Sequence, residues 1–205
     1  MYRISIKRIF DLSLLLIFSP LIIILFILIS FLIIAFDGKP VIFSQKRGGF
    51  KGKKFTIYKF STMNQDVDKK GKLLPDKDRI TKIGNFLRSV SLDEIPTFYN
   101  VLIGNMSLVG PRPFIAEYLL MYNKAQMRRH DVIPGITGWA QINGRNQLMW
   151  EKKFDLDLWY VDNQSFILDL KIIILTFIKV FQRSDINYNE LNTMPRFDEK
   201  NEKKI

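Results

Sequence analysis

The sequence LSLLLIFSPLIIILFILISFLIIAF, residues 12–36, decides the fold class of this chain. None of its side chains carries a charge, and the segment is long enough to cross a bilayer, which takes about 20 apolar residues in a helix. No small-residue cleavage site follows it, which argues against a removed signal peptide. We therefore expect residues 1–37 to attach the chain to a membrane.

The path of this segment through the membrane is open. Ser19 and Pro20 lie near its middle, where proline removes a helical hydrogen bond and bends the axis. The Ser19 hydroxyl could serve the carbonyl that the proline leaves free. Basic residues flank both ends, among them Lys7, Arg8 and Lys51, and such residues tend to stay cytoplasmic. A re-entrant helix would keep both ends on that side, whereas a spanning helix would place one basic cluster outside.

The composition restricts the partner and the metal. Lys and Arg number 31 against 20 Asp and Glu, a formal net charge of +11, which indicates an anionic partner such as phospholipid headgroups or a phosphorylated substrate. Cysteine is absent and His130 is the single histidine, which excludes a thiolate zinc site and a histidine cluster. Any metal would be held by oxygen ligands, which favours Mg²⁺.

The stretch RSVSLDEIPTFYNVLIGNMSLVGPRP, residues 88–113, carries the candidate chemistry. It places the adjacent carboxylates Asp93 and Glu94 between Arg88 and Arg112. A carboxylate nucleophile beside a carboxylate that binds a divalent cation, with arginines for phosphate oxygens, suits phosphoryl transfer. The sequence therefore predicts chemistry on a phosphate at a membrane surface.

A structural interpretation of the same acidic pair is equally available. Ser91 and Glu94 fit the capping-box pattern of a helix start, and acidic residues suit a first helical turn. Pro96 counts slightly against a cap because it deletes a backbone donor early in such a helix. The two interpretations are compatible, since a carboxylate at a helix N-terminus is held in place.

The rest of the chain predicts a mainly helical α+β domain over residues 38–183, followed by a polar tail over 184–205. Alternating aromatic and β-branched residues over 41–63, around a glycine-rich turn, indicate a small β-hairpin. The charged segment 65–79 is typical of a surface loop. Helices are expected over 80–88, 92–102, 113–129, 148–161 and 166–181.

Two segments of the domain allow alternatives. The Gly- and Pro-rich segment 130–146, with Trp139 and Arg145, is either a ligand-binding wall or a packed structural loop. The apolar segment 166–181 is either a core helix or an amphipathic helix in the membrane interface. We favour the interface, because a membrane-attached domain needs a surface that contacts the bilayer.

Taken together, these residues resemble the bacterial sugar transferases, the monotopic polyprenyl-phosphate phosphoglycosyl transferases. The chain looks closest to small members that transfer phospho-N,N′-diacetylbacillosamine or a related acetamido sugar. The resemblance extends from residue 7 to about 183. Its matching motifs, in order, are KRIFD (7–11), SP (19–20), VIFSQ (41–45), YKFSTM (58–63), LR (87–88), SLDEIP (91–96), MSLVGPRP (106–113) and PGITGWAQ (134–141).

The resemblance implies a re-entrant helix broken at Ser19-Pro20 and a monotopic protein on the cytoplasmic face of the bacterial inner membrane. It implies transfer of a sugar 1-phosphate from a UDP-sugar to undecaprenyl phosphate, with release of UMP. In that family the aspartate of the dyad is the nucleophile, through an aspartyl-phosphosugar intermediate, and the glutamate binds Mg²⁺. These roles fall on Asp93 and Glu94.

The resemblance also assigns basic and proline residues to the substrate. It places Pro111, Arg112 and Pro113 at the nucleotide–phosphate end, and Lys59, Arg88 and Arg145 near the phosphates. Lys7 and Arg8, at the start of the membrane segment, are expected to face phospholipid headgroups.

Two other classes of function stay open at this point. A membrane-attached glycosyltransferase would move the sugar without its phosphate and would release UDP. A basic membrane adaptor would use the +11 charge without chemistry. A nucleic-acid partner is not expected, because the acidic pair would repel nucleic-acid phosphates.

Overall fold

The computed structural model describes residues 4–38, 40–144, 148–181 and 197. It confirms a mainly helical α+β fold with one long apolar N-terminal helix and a small β-hairpin. The strands and helices, in order, are α1 (Ile4–Phe36), β1 (Ile42–Gly48), β2 (Lys54–Phe60), α2 (Asp76–Arg79), α3 (Lys82–Ser89), α4 (Phe98–Leu102), β3 (Ser107–Val109), α5 (Lys124–Met127), β4 (Gly135–Thr137), α6 (Trp139–Ile142), α7 (Trp150–Asn163) and α8 (Phe166–Phe181). Short 3₁₀ helices span Phe50–Gly52, Leu92–Thr97, Ala116–Leu120 and Arg128–Asp131.

Helix α1 is long and apolar enough to cross a membrane, and most of its large side chains are exposed. It continues through Pro20, which cannot donate to the carbonyl of Leu16. The hydroxyl of Ser19 donates to that carbonyl instead, at 2.8 Å. The exposed apolar surface indicates membrane association, and Ser19 supplies the donor that the proline removes.

The N-terminal end of α1 is held by the domain through charged side chains. The ammonium group of Lys7 forms a buried ion pair with Asp169 of α8, whose other oxygen accepts from the Tyr160 hydroxyl at 2.7 Å. Arg8 donates to the carbonyls of Val101 and Leu102 at the end of α4. The predicted headgroup role therefore does not fit Lys7, which is 4% exposed.

The C-terminal end of α1 is part of the hydrophobic core. Ile29 and Ile33 are buried in one cluster with Phe60 of β2, Leu87 of α3 and Ile95 of the following 3₁₀ helix. Both ends of α1 thus pack against the same domain, while the middle of the helix is mostly exposed.

Two small sheets position the rest of the chain. Strands β1 and β2 form the predicted hairpin, antiparallel from Ile42↔Phe60 to Gly48↔Lys54. Strands β3 and β4 form a two-stranded parallel pair that the sequence analysis did not predict. Each is three residues long, too short for an alternating pattern to stand out.

The predicted helix over 113–129 does not form, and that prediction was wrong. The carbonyl of Phe114 accepts from the backbone of Gly48 at 3.0 Å, and Ile115 makes an antiparallel bridge with Arg47. These pairings to β1 hold the start of the segment extended. The 3₁₀ helix Ala116–Leu120, the one-turn α5 and the start of the 3₁₀ helix Arg128–Asp131 follow.

Three other predicted helices form within a few residues of their expected bounds, as α3, α7 and α8. The segment expected to be one helix over 92–102 is a 3₁₀ helix, Leu92–Thr97, followed by the short α4. In α8, Asp169 and Ile172 are fully buried, whereas Ile167 and Phe177 on other positions of the helix are more than half exposed. The helix thus contributes to the core and also presents an apolar surface.

The segment 130–146 combines short elements with turns, including β4 and α6. Trp139 at the start of α6 stacks on Trp159 of α7, with ring centroids 4.6 Å apart. This contact supports the structural interpretation of the tryptophan. Arg145 lies outside the described residues.

Candidate active site

The acidic pair lies on the 3₁₀ helix Leu92–Thr97, which is fixed against the hairpin. The hydroxyl of Thr97 donates to the carbonyl of Tyr58 in β2 at 2.8 Å, and the helix residues Ile95 and Pro96 are buried. Because Lys59 follows Tyr58, this contact brings its side chain next to the acidic pair.

The predicted capping box does not form. Ser91 has φ +57°, in the left-handed region, and its side chain makes no capping hydrogen bond. A left-handed conformation costs a non-glycine residue free energy, of order 1–3 kcal/mol, and such strain is concentrated at functional sites. The capping interpretation therefore does not account for Asp93 and Glu94.

Glu94 joins two cations through one oxygen atom. Its Oε1 lies 2.6 Å from the Nζ of Lys59 and 2.6 Å from an Nη of Arg112. The Nζ of Lys59 also lies 3.9 Å from an oxygen of Asp93. The side chains of Lys59, Asp93 and Glu94 are only 14–16% exposed, so these charges interact with little screening by water.

The pKa values of the two carboxyl groups are shifted in opposite directions. Burial raises the pKa of Asp93 above its ordinary value, although Lys59 acts to lower it. Burial would also raise the pKa of Glu94, but Arg112 and Lys59 outweigh burial and hold it well below its usual range. Burial lowers the pKa of Lys59, an effect that Glu94 opposes.

Arg112 is held in position through its own backbone. Its carbonyl accepts from the guanidinium of Arg129 at 2.7 Å, and Arg129 is buried in an ion pair with Asp157 of α7 at 2.6 Å. The same guanidinium lies 4.0 Å from the ring centre of Phe114. The Pro-Arg-Pro segment is thus anchored to the interior, and the Arg112 side chain is left to contact Glu94.

Arg88 approaches the acidic pair without a direct contact. Its Nε donates to the hydroxyl of Thr62 at 2.8 Å, and its charge lowers the pKa of Asp93. Of the predicted phosphate-binding residues, Lys59 and Arg112 therefore contact the acidic pair directly. Arg88 acts on Asp93 only through its charge.

The site opens into a small pocket beside Glu94. Lys59, Arg112, Pro113, Gly135 and Ile136 are among the residues that line it. Arg47 of β1 also lines it, and the sequence analysis did not select this residue. The sequence signal that could have identified Arg47 was its place on an alternating strand, next to two glycines.

The acidic pair fits a magnesium ion. In the described ranges, no group of three or more His, Cys, Asp and Glu side chains could hold a metal. Mg²⁺ usually binds through one or two carboxylates and takes its other ligands from water and substrate phosphates. Asp93 and Glu94 are suitable for that mode of binding, which needs phosphate oxygens to complete it.

A family model described as "Bacterial sugar transferase" matches residues 2–183. The chain belongs to the bacterial sugar transferase family. This confirms the family that the motifs predicted, and the match ends at the predicted boundary of the polar tail.

Curated relatives agree with this family. The chain is 57% identical to the sugar transferase EpsL of Bacillus subtilis over 160 residues, 78% of this chain and 79% of that protein. It is 47% identical to a UDP-glucose:undecaprenyl-phosphate glucose-1-phosphate transferase of Klebsiella pneumoniae, over 69% of this chain and 33% of that protein. It is 37% identical to an undecaprenyl-phosphate galactose phosphotransferase of Salmonella typhimurium, over 89% of this chain and 41% of that protein. The match thus covers less than half of the two larger sugar transferases.

Proposed function

We propose that this protein transfers a sugar 1-phosphate from a UDP-sugar to undecaprenyl phosphate and releases UMP. Relatives in the family carry this activity in their names, for glucose and for galactose. The observation that carries the proposal is the acidic dyad. Glu94 lies 2.6 Å from both Lys59 and Arg112, whereas Asp93 lies 3.9 Å from Lys59 and is less well neutralised. The acetamido identity of the sugar stays a prediction.

In the first step, an oxygen of ionised Asp93 attacks the phosphorus that carries the sugar. A new O–P bond forms, the bond from that phosphorus to the bridging oxygen breaks, and UMP leaves with the bridging oxygen. Lys59 and Arg112 stabilise the negative charge that shifts towards the leaving phosphate. The product is an aspartyl-phosphosugar, so the enzyme holds the sugar phosphate covalently.

In the second step, an oxygen of undecaprenyl phosphate attacks the same phosphorus and the bond to Asp93 breaks. This yields the lipid diphosphate sugar and returns the ionised carboxylate. Dividing the reaction in this way avoids placing two anionic substrates in one site at the same time.

Mg²⁺ belongs to this proposal, with Glu94 as the expected direct ligand. When bound, the ion would neutralise charge on the diphosphate. Because Lys59 and Arg112 both use Oε1 of Glu94, the second oxygen of this carboxylate is the candidate for the metal. Chelation should abolish UMP release, and added Mg²⁺ should restore it.

We also propose that α1 is re-entrant and that the protein is monotopic on the cytoplasmic face of the inner membrane. The support is that both ends of α1 pack on one folded domain, through Lys7 and Arg8 at one end and Ile29 and Ile33 at the other. A spanning helix would place these two ends on opposite faces of the bilayer, where a single folded domain on one face could not contact both.

A nucleotide assay tests the reaction. The purified protein in detergent would be incubated with a panel of UDP-sugars, with and without undecaprenyl phosphate. Without the lipid, one donor should release about one UMP per active site and add a phosphosugar mass to the peptide that contains Asp93. Release of UDP would instead indicate a glycosyltransferase. Release of UMP only with lipid, and no trapped adduct, would indicate direct displacement.

Cysteine labelling tests the topology, since the native chain has no cysteine. Single cysteines at Ser5, before the apolar segment, and at Lys69, in an exposed loop of the domain, should both react only with reagent that reaches the cytoplasmic face. Labelling of the two positions from opposite faces would exclude a re-entrant helix.

A further inference from the structure

The pocket beside the acidic dyad contains more positive charge than its own carboxylate neutralises. Its lining has three cationic side chains, Arg47, Lys59 and Arg112, and one carboxylate, Glu94. Lys59 and Arg112 share the carboxylate of Glu94, each at 2.6 Å. The unmatched cation is Arg47.

Arg47 contacts only neutral groups among the residues that the structure describes. One Nη donates to the side-chain oxygen of Gln45 at 2.6 Å, and the other lies 3.4 Å from the carbonyl of Pro113. Its Nε is buried and has no hydrogen-bond partner. Burial, followed by the nearby charge of Arg112, lowers the pKa of Arg47 to about 10, and the charge of Glu94 opposes this change. The guanidinium is nevertheless charged at neutral pH.

The backbone holds Arg47 rigidly at this position. It lies in β1, opposite Phe55 of β2, and on its other side it pairs with Ile115. The next residue, Gly48, donates to the carbonyl of Phe114. Strand β1 therefore connects the hairpin to the segment that carries Arg112, and neither side of Arg47 can shift without breaking backbone hydrogen bonds.

The guanidinium of Arg47 is partly buried, with its Nε fully buried, and it has no anionic partner within ion-pair distance among the described residues. Such desolvation is costly, whereas an anion that reaches the group gains a charged hydrogen bond with little reorganisation. We propose that Arg47 binds a phosphate oxygen in this pocket, as a substrate-binding residue separate from the Glu94 ion pairs. The phosphate belongs either to the diphosphate of the nucleotide sugar or to the polyprenyl phosphate. This inference rests on the proposed function for the identity of the substrates.

The chain offers a matched control for Arg47. Lys46 is its neighbour on the same strand, carries the same charge and is exposed. Because successive side chains of a strand point to opposite faces, Arg47→Gln and Lys46→Gln remove equal charge from the two faces of β1. Arg47→Lys keeps the charge but removes the fork of N–H groups.

The experiment compares these variants in the full-length protein held in nanodiscs. In the donor arm, the affinity for UDP is measured by titration calorimetry; in the acceptor arm, the KM for undecaprenyl phosphate is measured. Loss of a charged hydrogen bond predicts that Arg47→Gln weakens one of these by roughly ten-fold or more. Arg47→Lys should recover part of the loss, and Lys46→Gln should match the wild type. The arm that changes identifies the source of the phosphate.

Two results would overturn the inference: unchanged values in both arms for Arg47→Gln, whether or not its Tm is lowered, or an equal loss in Lys46→Gln. Failure of the proposed function is a separate result. If the wild type releases no UMP from any UDP-sugar, the proposed reaction is wrong. The binding affinities of Arg47→Gln and the wild type for UDP and for undecaprenyl phosphate would then still decide whether Arg47 binds phosphate.

Discussion

Asp93 and Glu94 are adjacent in the chain, yet their pKa values are shifted in opposite directions. Both carboxyl groups are buried, so the difference comes from their neighbours. Glu94 accepts from Lys59 and Arg112 at 2.6 Å, whereas the Nζ of Lys59 is 3.9 Å from Asp93. The dyad thus combines a strongly neutralised carboxylate with a poorly neutralised one, and this difference supports the proposed role of Asp93 as the nucleophile.

Replacing Asp93 should separate activity from stability. Its folded-state pKa is raised above the ordinary value of 3.8, so ionised Asp93 costs the folded protein free energy at neutral pH. We expect Asp93→Asn to lower UMP release by more than about 1,000-fold and to keep or raise the Tm at pH 7. A capping role predicts the reverse, a loss of about 1 kcal/mol with activity retained. Thermal unfolding and single-turnover UMP release measure the two quantities.

Replacing Glu94 should reduce stability. The folded-state pKa of Glu94 is lowered, so its contribution is present above the ordinary pKa of 4.5 and is lost as the pH falls towards the folded value. Glu94→Gln leaves Lys59, which is 16% exposed, and Arg112, which is 42% exposed, without their anion. Because solvent screens the Arg112 pair, the loss should be roughly 1–3 kcal/mol at pH 7. The difference in Tm from the wild type should shrink below pH 4.5. A constant difference across this range would contradict the electrostatic account.

Lys59 should set the acidic limb of the pH profile. Its positive charge lowers the pKa of Asp93 against the effect of burial. We expect Lys59→Met to raise that pKa further, so that residual UMP release is lost at a higher pH than in the wild type. The measurement is single-turnover release between about pH 4 and 8, with Lys69→Met in the exposed loop as a control. A limb that moved to lower pH would exclude this role for Lys59.

Ser19 and Ser30 provide a matched pair of tests inside α1. Each hydroxyl donates to a helix carbonyl, of Leu16 and Phe26 respectively. The Phe26 carbonyl keeps the backbone N–H of Ser30 as a donor, whereas the Leu16 carbonyl faces Pro20, which has none. Ser19→Ala should therefore destabilise the protein in nanodiscs by about 1–3 kcal/mol, and Ser30→Ala by much less. Equal losses would show that the proline is compensated in another way.

The buried Lys7–Asp169 pair should show strong coupling. Lys7→Met leaves the carboxylate of Asp169 uncompensated in the interior and should cost about 3–5 kcal/mol. The double variant Lys7→Met/Asp169→Asn removes the buried charge and keeps an oxygen for the Tyr160 hydroxyl. It should be more stable than Lys7→Met alone. A double variant less stable than the single one would contradict the assignment of Lys7 as an internal ion-pair partner.

The sequence predicted the features that depend on local patterns. Alternation located the hairpin, a run of apolar residues located α8, and adjacency located Asp93 and Glu94. The failures came from contacts between distant parts of the chain. Pairing of Ile115 with Arg47 replaced the helix expected over 113–129. The burial of Lys7 depends on Asp169, 162 residues away, and no local pattern reports such a contact.

The contacts of α1 also bear on the order of events during synthesis. The helix leaves the ribosome before Phe60, Leu87 and Ile95, which complete the core around Ile29 and Ile33. The core around Ile29 and Ile33 can therefore close only after the chain has been synthesised through Ile95. The core of the domain therefore depends on α1 for two of its side chains. A catalytic domain produced without α1 would expose the apolar surface that α1 covers.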